Sequence, residues 1–520
     1  MVSLHAFSFL RKPMKLIVFA AIMSAVNLVF LNIPFFSFVR EHTNGGAFSN
    51  FFLIASLVIV MLALNLFACY LLVYLLRYVG RVLIAIFHIL SSACVYYILK
   101  FHIIMDDSMM SNVFNTRYSE ASGFITWSAF GFLFLTGIIP AIYVLTQKID
   151  YGKLKMFGIV SGSSIGLSLL LILLNLNQVL WIGKYDTELG GLIMPYSYVV
   201  NTIRLQNQKK QKSAEEIKLP DASISNEQKE VVVLVIGESA RKHNFQLYGY
   251  DRPTNPLLSQ RNDITVLTAN SNDTYTTAGV KAILEYKGTS DLYEILPNYL
   301  YRTGVDVAWR TDNWGEPPVH IQDYKTDNQL AKIFPDKDRR YDEFLTSGLR
   351  QRIDTCSKNK LFIVLHTSTS HGPCYSTKYP KAFEKFSPVC HNVENAKDSL
   401  PELVNAYDNS ILYTDYLLNN IIDTLQTITE RKCAMIYISD HGESLGENNM
   451  FMHGIPLKLA PKEQYEIPFI VWTSDGYREM KKMDKTVDQH YIYHSVLNLL
   501  SVESPIYNAD YDLFLPQAKE

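Results

Sequence analysis

The chain has 520 residues, too many for one compact domain. Its 48 basic and 50 acidic residues leave a net charge of -2, which excludes the broad basic surface expected of a nucleic-acid binder. The 48% hydrophobic content is ordinary in total but uneven in placement: residues 1–200 hold long uncharged apolar runs, and residues 225–520 read as a water-soluble protein.

Five apolar segments come first, at about 16–36, 51–76, 82–99, 123–146 and 156–182. A helix needs about 20 apolar residues to cross the hydrocarbon core, and four of the five meet that easily. The third is short and contains His88, but it can extend toward Ile104 past Lys100, a side chain able to snorkel. Core helices of a soluble domain would carry a polar face, and these runs have none. No small-x-small cleavage site follows the first segment, so it reads as an anchor rather than a signal peptide. Residues 1–182 are therefore expected to form a five-helix transmembrane domain.

Orientation follows from the loop cations. Arg11, Lys12 and Lys15 precede the first span, Arg77 and Arg81 fill the turn between the second and third, and Lys148, Lys153 and Lys155 lie between the fourth and fifth. All fall on one side, which is assigned to the cytoplasm. Five spans then carry the rest of the chain to the opposite side. Cys69 and Cys94 sit in spans, whereas Cys356, Cys374, Cys390 and Cys433 belong to the soluble part, where an oxidising compartment permits bridges. Cys433 opens an apolar strand and reads as a buried thiol.

Residues 183–229 are expected to be a connector: an interfacial stretch through 205, then the polar linker QNQKKQKSAEEIKLPDASISNEQK. From 230 to 520 short apolar runs alternate with helical stretches. EVVVLVIGES (230–239) is β-branched and unbroken, as in a parallel strand buried on both faces. VDVAWRTD (305–312), LFIVLHTSTSHG (361–372), CAMIYISDHGES (433–444) and IPFIVWTSD (467–475) follow. The alternation predicts an α/β domain with a mostly parallel sheet.

Ligands of such sheets bind at the carboxyl ends of the strands. Those ends carry Glu238, His371, Asp440 and His441, a carboxylate and imidazole set suited to zinc. Thr276 and Thr277 precede a helical run, where free N–H groups favour a phosphate. A nearby metal would activate such a hydroxyl as a nucleophile. Taken singly, Glu238 also fits a first-turn acid behind a Ser239 cap, and His371 and His453 fit ordinary loop histidines. Glu443, Glu447 and Asn448 fit solvated or supporting residues.

The order of these motifs resembles the phosphoethanolamine transferases of Gram-negative inner membranes, within the alkaline phosphatase/sulfatase superfamily. The resemblance rests on VIGESARKHNFQLYGYDRPTNP (235–256), YTTAGVKAILEYKG (275–288), WRTDNWGEP (309–317), HGPCY (371–375), FSPVC (386–390), AYDNSILYTD (406–415) and YISDHGESLGENNMFMHGIPLKLAPKEQ (437–464), and it covers essentially the whole chain. It implies a zinc site on Glu238, Thr276, Asp440 and His441. His371 and His453 match positions that bind the donor's phosphate or a second zinc, and Asn313 matches a contact to the phosphoethanolamine group. Counting back from the Tyr286-Lys287-Gly288 motif favours Thr276 as nucleophile, with Thr277 the alternative. The family mechanism passes phosphoethanolamine from phosphatidylethanolamine, through a phospho-threonine, to a lipopolysaccharide acceptor such as lipid A or core sugar. The chain departs from the colistin-resistance members in lacking a Cys-Gly before the threonine and in carrying Pro317 where they place a donor-binding lysine, so its acceptor can differ from lipid A.

A Cys374–Cys390 bridge is expected, with Cys356 as an alternative partner of either. A monomer, membrane lipids as surroundings and a periplasmic catalytic domain complete the expectation. The rival readings are a glycerol phosphate transferase of the lipoteichoic-acid type, a sulfatase or phosphodiesterase, and a membrane sensor with an inactive sulfatase-like domain.

Overall fold

A computed structural model describes residues 13–43, 46–115, 124–175, 181–182, 185–212, 216–372, 374–390 and 399–516. The chain divides into two compact units, with the boundary near residue 208.

The first unit is helical. Helix α1 (Leu16–Val26) widens into a π-helical turn (Asn27–Leu31) and breaks before α2 (Ile33–His42), the two parts meeting at 59°. Four further helices are long and apolar enough to cross a membrane: α3 (Ala47–Leu76), α4 (Tyr78–Phe101), α5 (Trp127–Thr146) and α6 (Leu154–Leu174). The third span is thus longer than its apolar run, and it buries His88.

One end of this bundle gathers the loop cations. Met14–Lys15 pairs as a short strand with Ile149–Asp150. The Arg81 guanidinium donates to the Gln147 carbonyl, and Arg77 lies 4.3 Å from the centre of the Tyr151 ring. Helix α3 ends at this cationic end, beside Arg77, and its 30 residues give it a length of about 45 Å. Residue 47 therefore lies at the far end, and the chain has crossed between residues 15 and 47. Counted as one span, the bent α1–α2 pair brings the four to five. Arg11 and Lys12 lie outside the described residues.

The break at Asn32 has a polar cause. Asn32 Nδ2 donates to the Met194 carbonyl (3.2 Å) and its Oδ1 accepts from the Met194 N–H (3.0 Å). Asn27 Oδ1 accepts from Asn32 (2.8 Å) and from Asn65 (2.8 Å), and Tyr196 donates to Asn65 (3.1 Å). This amide network ties the segment before α7 (Tyr196–Lys212) into the bundle, where Met194 is fully buried. Residues 185–205 therefore pack against the helices rather than forming a separate layer.

The second unit is built on an eight-stranded sheet. Its strands are β1 (Glu230–Gly237), β2 (Ile264–Asn270), β3 (Asp306–Thr311), β4 (Asp323–Thr326), β5 (Lys360–His366), β6 (Lys432–Ser439), β7 (Glu466–Thr473) and β8 (Val487–Asp488). Their order is β8-β2-β7-β6-β1-β5-β3-β4, with only β7 antiparallel to its neighbours. Central strands β1 and β5 are buried along their whole length, which explains their unbroken apolar runs. Helices α8 (Thr276–Leu284), α9 (Leu296–Thr303), α10 (Leu400–Gln426) and α11 (Tyr491–Leu499) cover the sheet.

Register positions the site. Gly237 on β1 stands opposite Ser439 on β6, so Glu238 and Asp440 leave the sheet side by side. Thr311 on β3 stands opposite His366 on β5, which brings Asn313 and Thr367 to the same level.

Candidate active site

After Gly237 the backbone turns sharply, with Ser239 in the left-handed region (φ 53°). Such strain persists where surrounding bonds fix it. Here the Ser239 N–H donates to Asp440 Oδ1 (3.1 Å) and its hydroxyl donates to Glu238 Oε1 (2.7 Å). Tyr407 on α10 caps the turn by donating to the Ser239 carbonyl.

Thr276 is the first residue of α8, delivered by the loop after β2. The helix can reach Asp440 only because residue 279 is glycine: a Cβ there would stand 2.2 Å from the Asp440 carbonyl oxygen. Thr276 Oγ1 lies 3.4 Å from Glu238 Oε2 and 3.3 Å from His441 Nε2. His441 Nε2 lies 3.3 Å from Glu238 Oε1 and 3.4 Å from Asp440 Oδ2. All four residues are buried. Thr277 is half-buried and makes no hydrogen bond to the cluster, so the geometry separates the two threonines that the sequence left adjacent.

The donor chemistry fits a cation. His441 Nδ1 faces the Gly442 carbonyl (2.8 Å), which can only accept, so the proton sits on Nδ1 and the Nε2 lone pair of the neutral ring points into the cluster. Asp440 Oδ2 is buried and receives no hydrogen bond. These separations of 3.3–3.4 Å, reached through both Glu238 oxygens, are of the size found between neighbouring ligand atoms of a zinc ion. Without a cation, protons take its place. Burial, then the Glu238 charge, pushes Asp440 up to about 8. Burial opposes protonation of His441, but Asp440 and Glu238 outweigh it and raise the ring to about 10. Burial also opposes the Glu238 charge, yet His441, His371 and His453 hold it well below the usual range.

His453 adds a third donor direction, since Glu238, His441 and His453 can together offer ligand atoms within 4.8 Å of one another. The His441 and His453 ring centres are 4.2 Å apart, and those of His371 and His453 are 5.7 Å apart. His371 is carried on a loop after β5, which Asp342 holds by accepting from the Ser368 and Thr369 N–H groups. Asn313 Nδ2 donates to Glu238 Oε2 (2.7 Å) and to the Thr367 carbonyl (2.8 Å). Glu238, Thr276, Asn313, His371, Asp440, His441 and His453 thus lie together at the ends of the strands.

Other participants were less legible. Glu443 takes the supporting role of the two open to it: it is fully buried, its Oε2 lies 3.3 Å from His453 Nδ1, and burial pushes its pKa up to about 8. Glu447 pairs with Arg241 at 2.7 Å. Gln489 fixes the Asp440 backbone by donating to its carbonyl (2.6 Å), a role with no local signature. The expected Cys374–Cys390 bridge is not formed in the structure, where both are free thiols, but they are electrostatic neighbours: burial first, then a charged Cys390, raises the Cys374 thiol. Cys356 instead donates to Asp306 at the start of β3, so it lies near the opposite end of the sheet and is no candidate partner.

A family model for phosphoethanolamine transferase EptA/EptB matches residues 60–210, and a sulfatase model matches residues 230–502. The chain is 36% identical to the phosphoethanolamine transferase EptA of Helicobacter pylori over 99% of both chains. It is 28% identical to the EptA of Escherichia coli K12 over 97% of both. Among solved structures, the integral membrane lipooligosaccharide phosphoethanolamine transferase A of Neisseria meningitidis superposes with a TM-score of 0.85 at 25% identity, covering 97% of this chain and 99% of that one. With motifs, fold and relatives in agreement, the chain belongs to the phosphoethanolamine transferases of the alkaline phosphatase/sulfatase superfamily.

Proposed function

We propose that the protein transfers phosphoethanolamine from phosphatidylethanolamine to a lipopolysaccharide-type acceptor, with Thr276 carrying the group between them. The observation that supports this most is the placement of Thr276 Oγ1 at a helix N-terminus and against Glu238 and His441. The helix N-terminus favours the phosphoryl anion.

In the first half-reaction Thr276 Oγ1 bonds to phosphorus and the bond from phosphorus to the diacylglycerol oxygen breaks. The threonine hydroxyl, acidified by the site, gives up its proton to solvent, and diacylglycerol departs with a proton from His371 or His453. In the second, an acceptor hydroxyl or phosphate oxygen bonds to phosphorus, the bond from phosphorus to Thr276 Oγ1 breaks, a hydroxyl acceptor gives its proton to His371 or His453, left neutral by the first step, and Thr276 Oγ1 takes a proton from solvent. Glu238, Thr276, Asp440 and His441 would hold zinc, with His453 beside them; the ion supplies alkoxide stabilisation and neutralises charge on phosphoryl oxygens. Asn313 orients Glu238 and contacts the transferred group.

The cationic bundle end and the five crossings support an inner-membrane protein with its catalytic unit in the periplasm. Relatives named for transfer to Kdo(2)-lipid A and to lipooligosaccharide support a lipopolysaccharide acceptor. Incubating the purified full chain with labelled phosphatidylethanolamine and envelope lipids, then locating label by mass spectrometry, tests the reading. Label on lipid A or core sugar is expected; release to water alone would instead mark a hydrolase.

A further inference from the structure

Three membrane helices begin at the cationic end of the bundle, and each begins without an anion. Lys15, Arg77 and Lys153 are the N-cap residues of α1, α4 and α6. None of these starts has a side-chain cap, and none carries an acid in its first turn. The first N–H groups of a helix are unsatisfied and its dipole is positive there, so Ser, Thr, Asp or Asn caps and negative charge are favoured. A basic N-cap adds charge of the wrong sign.

The fold holds these starts together. A Cβ at Gly80 would stand 2.2 Å from the Leu72 carbonyl oxygen, so glycine lets α4 turn tightly back on α3. Lys15 pairs in register with Asp150, and Arg77 lies over the Tyr151 ring. Arg81, Lys148 and Lys155 bring the cations to six; Asp150 is the one acid in these turns, and its carboxylate accepts from the Gly152 N–H (3.1 Å). None of the six cations has an ion-pair partner among the described residues. Arg81 is only 9% exposed. It donates through Nη1 to the Gln147 carbonyl, and its Nε–H is buried with no acceptor. A buried donor left unmade is costly, so an anionic oxygen is the natural complement. Around the cations Leu75, Leu76, Val79 and Leu154 are exposed, an apolar collar that a free inorganic anion would not use.

We propose that this end of the membrane unit seats an anionic phospholipid of the adjoining leaflet, its phosphate among the starts of α1, α4 and α6 and its acyl chains along the exposed leucines. Helix starts bind phosphate through their N–H groups, and juxtamembrane cations add attraction to anionic lipid. A zwitterionic ethanolamine headgroup would bring an ammonium into the same field, so the seat discriminates against the donor lipid of the proposed reaction.

Native mass spectrometry of the full chain, offered phosphatidylglycerol or phosphatidylethanolamine, reads the preference. Phosphatidylglycerol should be retained at least about 10-fold more strongly, and less so as salt rises. Lys153→Gln should weaken it about 5-fold. Arg40→Gln, at the opposite end of the bundle and exposed, should leave it unchanged. Lys153→Asp supplies its own capping anion. It should lose the lipid preference, and in phosphatidylcholine nanodiscs it should unfold at a higher temperature than wild type. Equal retention of the two lipids, wild-type phosphatidylglycerol binding in Lys153→Asp, or an equal loss in Arg40→Gln and Lys153→Gln would overturn the proposal. Inorganic phosphate that raises the unfolding temperature in phosphatidylcholine nanodiscs as much as added phosphatidylglycerol would also overturn it, assigning the site to a free anion. Each of these results leaves the transfer reading intact.

Discussion

The two units bury polar groups for opposite reasons. In the membrane unit, Asn27, Asn32 and Asn65 are buried because they hold a backbone segment, and each finds a hydrogen-bond partner. In the catalytic unit, Glu238, Thr276, Asp440 and His441 crowd lone pairs together and leave Asp440 Oδ2 without a donor. A satisfied polar network stabilises a fold, whereas an unsatisfied one stores a binding site. The contrast can be broken or sharpened by removing one member from each.

The largest expected effect is on Thr276. Thr276→Ala should lower transfer by at least about 10³-fold, as loss of a covalent nucleophile does. Its thermal unfolding should stay near that of wild type, since the site contributes chemistry rather than stability. A variant with most of its activity would remove Thr276 from the reaction.

Cation loss comes next, and pH gives its sign. In the cation-free protein Asp440 and His441 both have raised values, about 8 and about 10. Near pH 7 the folded state then holds more protons than the unfolded one, so cation-free stability should fall as pH rises through this range. Zinc requires both groups deprotonated, and binding at pH 7 should release about two protons. Calorimetry in buffers of different ionisation enthalpy measures this. No proton release would mean that the cluster is not the ligand set. Asp440→Asn should weaken zinc binding and abolish transfer together.

How much of this was legible in the sequence depends on the kind of signal. The strands showed because β1 and β5, buried on both faces, leave continuous apolar runs, and Glu238 and Asp440-His441 showed because polar residues end those runs abruptly. The long apolar helices showed because lipid allows no polar face. The π-helical turn and the bend at Asn32 did not show, because their cause is Met194, more than 160 positions away. Whether Glu443 was solvated or supporting stayed open for the same reason: its partners His453 and Tyr375 are brought in by separate loops. Thr276 was already favoured by its spacing from Tyr286-Lys287-Gly288; its approach to Glu238 and His441 needed the fold.

A smaller effect concerns Cys374 and Cys390. Oxidation across this 16-residue separation should add about 3 kcal/mol. Non-reducing peptide mapping of the membrane-extracted protein should find the bridge, and Cys374→Ser should lower the unfolding temperature. Two free thiols in that material would rule the bridge out. The smallest expected effect is in the membrane unit. Asn32→Leu keeps the volume but leaves the Met194 N–H and carbonyl under-satisfied, costing about 1–3 kcal/mol. Thermal unfolding in nanodiscs reads that loss; an unchanged midpoint would show that the amide network carries no stability.

The most direct measurement is the mass of the active-site peptide. The full chain, incubated with phosphatidylethanolamine and no acceptor, is acid-quenched, digested and sequenced by tandem mass spectrometry. The expected result is a phosphoethanolamine group on Thr276, removed when acceptor lipid is added before quenching. An adduct on Thr277 or any other residue, or continued transfer with Thr276 never modified, would contradict it.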